Sequence, residues 1–247
     1  MTMKYNIFAA LLLMVAGVQT ASAQKVTLHK AGGEAVEFNI SRIDSIAIVG
    51  RYDTDTKEYV DLGLPSGTLW ATCNIGASKP EEYGDLFAWG ETEPKEIYRW
   101  DNYKHGTGPL RLTKYSRKTD NKLELDPEDD AATVNWGSEW QMPSEIQMEE
   151  LISSDYTTST IETRNGIKGR LITSKFNGNS IFLPAAGFFA YDPALAGEMG
   201  YYWSLTLDEY VSEEAICICA GVSWDGLWIT SDNREIGRSV RPIRRKQ

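Results

Sequence analysis

With 42% hydrophobic residues in a chain of 247, the protein can bury a full core, which excludes an intrinsically disordered chain. Its 35 acidic side chains outnumber the 25 basic ones and leave a formal charge of −10. That balance excludes nucleic acid and anionic lipid as main partners, because both demand a cationic footprint.

Residues 1–23 read as a secretory signal peptide. Lys4 supplies the positive charge, residues 7–18 an apolar run, and Ala21-Ser22-Ala23 a small-residue cleavage site. The run falls short of the roughly 18–20 residues that a spanning helix needs, so no membrane span is expected in the mature chain. In residues 24–49, Val26 and Leu28 alternate with polar neighbours, as do Val36, Phe38 and Ile40 beyond Gly32-Gly33. This pattern predicts a half-buried β-hairpin. Residues 50–57 (GRYDTDTK) form a polar linker, and 58–247 the main domain.

The main domain opens on helix-start signals at Ser78-Lys79-Pro80-Glu81-Glu82 and at Asp126-Pro127-Glu128-Asp129-Asp130, where Pro127 suits a first helical position. Ser144 and Gln147 form a capping box ahead of an apolar stripe of Met148, Leu151 and Ile152. The period then changes to two, with strands expected around residues 170–174, 181–183, 201–205, 215–221 and 238–244. Loops are expected at 188–199 and 223–236. The fold class is α+β, with few short helices, mostly antiparallel strands and an N-terminal hairpin appendage.

Four stretches occur in fixed order: 59–74 (YVDLGLPSGTLWATCN), 136–145 (WGSEWQMPSE), 181–187 with 200–204 (IFLPAAG, GYYWS), and 239–243 (SVRPI). Together they resemble the FISUMP-type major paralogous domain of secreted Gram-negative proteins over residues 58–245. That family is akin to the C-type-lectin-like fold of formylglycine-generating enzymes and phage tropism determinants. The resemblance implies a lectin-like fold, with Trp70, Trp136, Trp140 and Trp203 in the core, and an address in the periplasm, at the outer surface or outside the cell.

Candidate chemistry is sparse. Two histidines and no His-Glu-x-x-His, Gly-x-Ser-x-Gly or phosphate-cradling glycine loop leave no zinc site or histidine triad. The acids Asp126, Glu128, Asp129 and Asp130 offer oxygen ligands for calcium, but their spacing departs from the EF-hand loop and suits a helix N-terminus better. Cys217 and Cys219 share one strand face, and Cys73 is the one partner either could reach. Three buried, inert thiols are favoured. The two-cysteine copper arrangement of the oxidase relatives is not matched by so tight a Cys-Ile-Cys.

The late loops carry the remaining signal. Trp224, Trp228 and Tyr191 supply flat apolar area beside Asp225, Asn233 and Arg234, a composition suited to a glycan or protein ligand, although a packed hairpin tip would read the same. The calcium-binding sugar triplets of lectins are missing. The expected function is a non-enzymatic binding or adhesion module without a cofactor. The alternatives are an assembly subunit docking through its N-terminal hairpin and, more distantly, a carboxylate-pair hydrolase.

Overall fold

The structure, a computed structural model, describes residues 25–29 and 35–39 as backbone, and residues 57–223 and 226–245. The expected leader and all but the last residue of the linker lie outside the described residues. The chain divides into two units, residues 1–54 and 55–247.

In the first unit, β1 (Lys25–His29) pairs antiparallel with β2 (Ala35–Asn39), as the alternation predicts. The register sets Val26 opposite Phe38 and Leu28 opposite Val36.

The second unit is built of small, mostly antiparallel sheets with few helices. Its centre is a five-stranded sheet in the order β13 (Gly226–Asn233), β12 (Glu214–Gly221), β11 (Met199–Leu207), β14 (Arg238–Ser239) and β5 (Leu86–Phe87). A second sheet joins β15 (Ile243–Arg245), β4 (Thr68–Ala71) and β3 (Tyr59–Asp61); a third joins β6 (Thr157–Arg164), β7 (Ile167–Ser174) and β8 (Ser180–Pro184). A two-residue pair, β9 (Phe188–Phe189) and β10 (Pro193–Ala194), lies inside the expected loop. Asn165 and Gly166 turn β6 into β7 with φ of 48° and 82°, the left-handed pair that a tight hairpin requires. No helix among the described residues is long and apolar enough to cross a membrane.

Two helices form where their caps dictate. Ser144 Oγ accepts from Gln147 N and Gln147 Oε1 accepts from Ser144 N at 2.8 Å, closing the capping box of α2 (Glu145–Ile152). α1 (Ala131–Trp136) starts later than Pro127 suggests. Asp130 is its N-cap, with one carboxylate oxygen accepting from Ala132 N and Thr133 N and the other from Met142 N. Pro127 falls in the preceding turn.

The signal at Ser78 yields only a turn. The Glu82 carboxylate accepts from Ser78 N, Ser78 Oγ and Lys79 N, but Gly84 then takes φ +71°, where an added Cβ would lie 2.2 Å from the Ile75 carbonyl. The chain reverses before a helix can propagate. A larger correction concerns 223–236, where β13 pairs along its whole length with β12. Every residue of this edge strand is half-buried, so no in–out alternation marks it.

The central sheet separates two cores by its period of two. Trp203, Cys217 and Cys219 face one cluster with Trp89, Tyr115 and Trp140; Tyr202, Ile218 and Ala220 face another with Trp70, Met148, Leu151 and Ile243. Trp70, Trp140 and Trp203 are buried, whereas Trp136 is half-buried, edge-on to Trp140. Trp203 Nε1 donates to Phe87 O at 2.9 Å and Trp89 Nε1 to Ser204 O at 2.8 Å, tying β11 to the β5 segment in both directions. Replacing Trp203 with Ala removes both ring volume and one of these ties. A loss of about 3–5 kcal/mol is expected, read as a lower urea midpoint with an unchanged m-value. A midpoint equal to wild type would show the ring to be dispensable.

Candidate functional site

The late-loop residues part company in the structure. Trp224 and Asp225 lie outside the described residues. Trp228 sits on β13 opposite Cys219, half-buried against the core, with its ring over Gly226. Asn233 ends the same strand and accepts through its carbonyl from Ile236 N. Arg234 offers no face to a ligand, being 0% exposed. Its guanidinium donates to the carbonyls of Tyr115 (2.8 Å), Ser212 (3.0 Å), Lys114 (2.8 Å) and His105 (3.4 Å) and lies between the rings of Trp89 and Tyr103. It is an internal clamp. Of the four candidates among the described residues, Tyr191 alone is an open surface group, 70% exposed.

Tyr191 belongs to a cleft of about 330 Å³ that the sequence reading did not outline. Residues 98–101 and Thr107 form one side, Ala190 and Tyr191 another, and Glu235 and Ile236 a third. The segments are locked together by backbone. Tyr98 N donates to Ala190 O at 3.0 Å, and Phe189 and Gly237 exchange two hydrogen bonds of 2.8 and 2.9 Å. Gly237 is needed there, since a Cβ would meet the Tyr98 ring at 2.7 Å. Tyr98 OH donates to Leu86 O and accepts from Lys95 N, so the wall is held from behind. The 3-10 turn at Trp100–Asn102 is fixed by Asn102, whose Oδ1 accepts from Arg99 N and whose Nδ2 donates to Ile97 O.

Three groups give the cleft its character. Trp100 stands edge-on to Tyr103, with ring centroids 5.5 Å apart, and supplies a half-buried aromatic wall. Arg99 lies over the Tyr191 ring at 5.9 Å, with Nε 3.2 Å from the Asp101 carboxylate. Glu235 is 8% exposed, and its Oε2 has no hydrogen-bond partner. Burial pushes its carboxyl up from an ordinary 4.5 to about 7; nearby Asp232 adds to the rise, and Arg238 and Arg234 oppose it.

The other candidates are accounted for by protein groups. Asp126, Glu128 and Asp129 do cluster. However, Lys114 Nζ reaches all three, at 2.7, 3.4 and 2.6 Å, Lys104 Nζ reaches Asp129, and Lys122 Nζ reaches Asp126. Burial alone would raise Asp129, but hydrogen bonds from Lys104, Lys114 and Tyr115 hold its carboxyl down at about 2. Ammonium groups thus stand where a metal would, and Asp130 is committed to its cap. All three cysteines are free. Cys217 and Cys219 are buried, but Cys73 is only half-buried, which corrects the expectation of three buried thiols. Arg238 Nη1 donates to Cys217 Sγ at 2.7 Å and Nη2 to Asp232, and its guanidinium lies 4.6 Å from both the Tyr201 and Trp203 rings. A hydrogen bond to Cys219 together with burial keeps the Cys217 thiol protonated, and both residues are buried.

No family model, curated protein or solved structure matches this chain.

Because the native state binds the Glu235 proton more tightly than the unfolded chain, this group costs no stability below about pH 4.5 and destabilises progressively as pH rises to about 7. Glu235→Gln removes that penalty. The variant is expected to match wild type near pH 4.5 and to exceed it in urea midpoint near pH 8. A difference between the two that does not vary with pH would show that Glu235 titrates normally.

Proposed function

We propose that this chain is an exported, non-enzymatic binding module of C-type-lectin-like fold that holds a glycan or protein ligand in the cleft between Trp100, Tyr191 and Glu235. The observation that carries this reading is the unpartnered, buried carboxylate oxygen of Glu235 beside an exposed aromatic ring. Buried acceptors without partners are rare in proteins, and one in an open cleft is where a ligand donor belongs. The ordered resemblance to FISUMP-type domains, the mixed sheets and the leader-like residues 1–23 support the fold and the address. Relative to the sequence reading, the ligand-binding role moves from Trp228, Asn233 and Arg234 to Trp100 and Glu235, with Tyr191 retained.

The assembly reading keeps one observation in its favour. β1 and β2 form a two-stranded sheet by themselves, and such a sheet is marginal in water. A hydrolase would need a second carboxylate working with Glu235, and the acid sharing the cleft, Asp101, is exposed and engaged by Arg99.

An array of glycans and extracellular proteins tests the binding reading. Tyr191→Ala removes an exposed ring with little cost to the fold, and loss of an aromatic anchor weakens recognition by about 2 kcal/mol or more. Deletion of residues 24–49 should leave recognition intact. Binding that survives Tyr191→Ala but vanishes with the hairpin would replace this proposal with the assembly subunit.

A further inference from the structure

The two cations that act on Glu235, Arg234 and Arg238, direct their Nη donors elsewhere. Arg234 donates through its Nη atoms to four backbone carbonyls and Arg238 to Asp232 and Cys217, while Arg99 in the cleft wall pairs with Asp101; the Nε of each lacks a hydrogen-bond partner. Arg234 and Arg238 favour the ionised carboxyl from nearby, but Glu235 Oε2 accepts no hydrogen bond, so the cleft carries an acid with room for a further cationic donor. The flanking Trp100 and Tyr191 supply aromatic surface suited to a cation with apolar substituents, Arg99 already lying over the Tyr191 ring at 5.9 Å. Glu235 is only 8% exposed, so the group that reaches it must be slender. An extended alkyl chain meets that condition, whereas an amine set directly on a sugar ring would need the ring itself to enter.

Resting on the cleft reading above, we infer that the site recognises a primary alkylammonium, as presented by a lysine side chain of a protein ligand. Glu235 Oε2 accepts from the ammonium at the base, the methylene stem lies against Trp100 and Tyr191, and the Arg99–Asp101 pair borders the mouth. The carboxyl must be ionised to serve as counter-ion. The charged groups facing it are Asp232, which favours the protonated form, and Arg234 and Arg238, which favour the ionised one. Binding therefore strengthens as pH rises through about 7.

The test uses the full chain and calorimetric titration with Nα-acetyl-lysine methylamide, its Nε-acetylated counterpart and glucosamine, near pH 8 and near pH 6. Saturable binding of the lysine amide is expected near pH 8, and about tenfold weaker binding near pH 6, where a carboxyl with a midpoint near 7 is about one-tenth ionised. At least that loss is expected in Glu235→Gln, no loss in Tyr210→Ala (an exposed ring that does not line the cleft), and no binding of the acetylated form. If glucosamine or the acetylated probe binds instead, and Tyr191→Ala abolishes it, the cleft stands and the alkylammonium inference falls. If no probe binds and array ligands are indifferent to both Tyr191→Ala and Glu235→Gln, the cleft reading falls with it.

Discussion

The second unit depends on guanidinium groups buried among backbone carbonyls. Arg241 is 1% exposed. It donates to Asn74 Oδ1 (2.8 Å), to the carbonyls of Ala71 (3.1 Å) and Thr72 (2.8 Å), and to that of Phe182 (3.0 Å). Burial lowers its pKa, yet arginine keeps its charge, and four aligned acceptors replace the water it has lost. These contacts join the end of β4 to β8 through a residue just ahead of β15, so elements more than a hundred residues apart are set by one planar fork. A lysine, with three donors on a flexible stem, could not satisfy the same four acceptors.

Arg234 repeats the device nearer the cleft. Its four carbonyls come from residues 105, 114, 115 and 212, so it gathers the long irregular segment before α1 and the β11–β12 connection onto the core. Irregular backbone can be buried only where its polar groups find partners, and the guanidinium supplies them. The next residue along is Glu235. With Arg234 fixed on one side and Gly237 paired to Phe189 on the other, the chain has little freedom in where it places that carboxyl. The unpaired acid is thus a consequence of the same rigid scaffold that holds Tyr98 and Ala190 in the cleft wall.

Local rules were legible in the sequence wherever a side chain answers to its own neighbours. The Ser144–Gln147 box, the β1–β2 alternation and the apolar run of β12 all depend on residues a few positions apart. β13 was hidden because an edge strand half-buried throughout has no alternating signal and because Ser231-Asp232-Asn233 looks like a loop. Arg234 was misread as a ligand donor because its partners are carbonyls, which every residue carries and no sequence pattern marks. The cleft was illegible for a related reason. Glu235 is one of 35 acids, and its distinction comes from residues near 100 and 190 that only the fold brings alongside.

The anchored C-terminal segment delivers an unpaired, desolvated carboxylate to an open cleft. The most direct measurement is a carbon-13 NMR titration of the Glu235 side-chain carboxyl in the ligand-free protein. A midpoint near 7 is predicted, well clear of an ordinary glutamate at 4.5. A midpoint at or below 4.5 would mean that Glu235 is solvated or paired and that no desolvated acid faces the cleft.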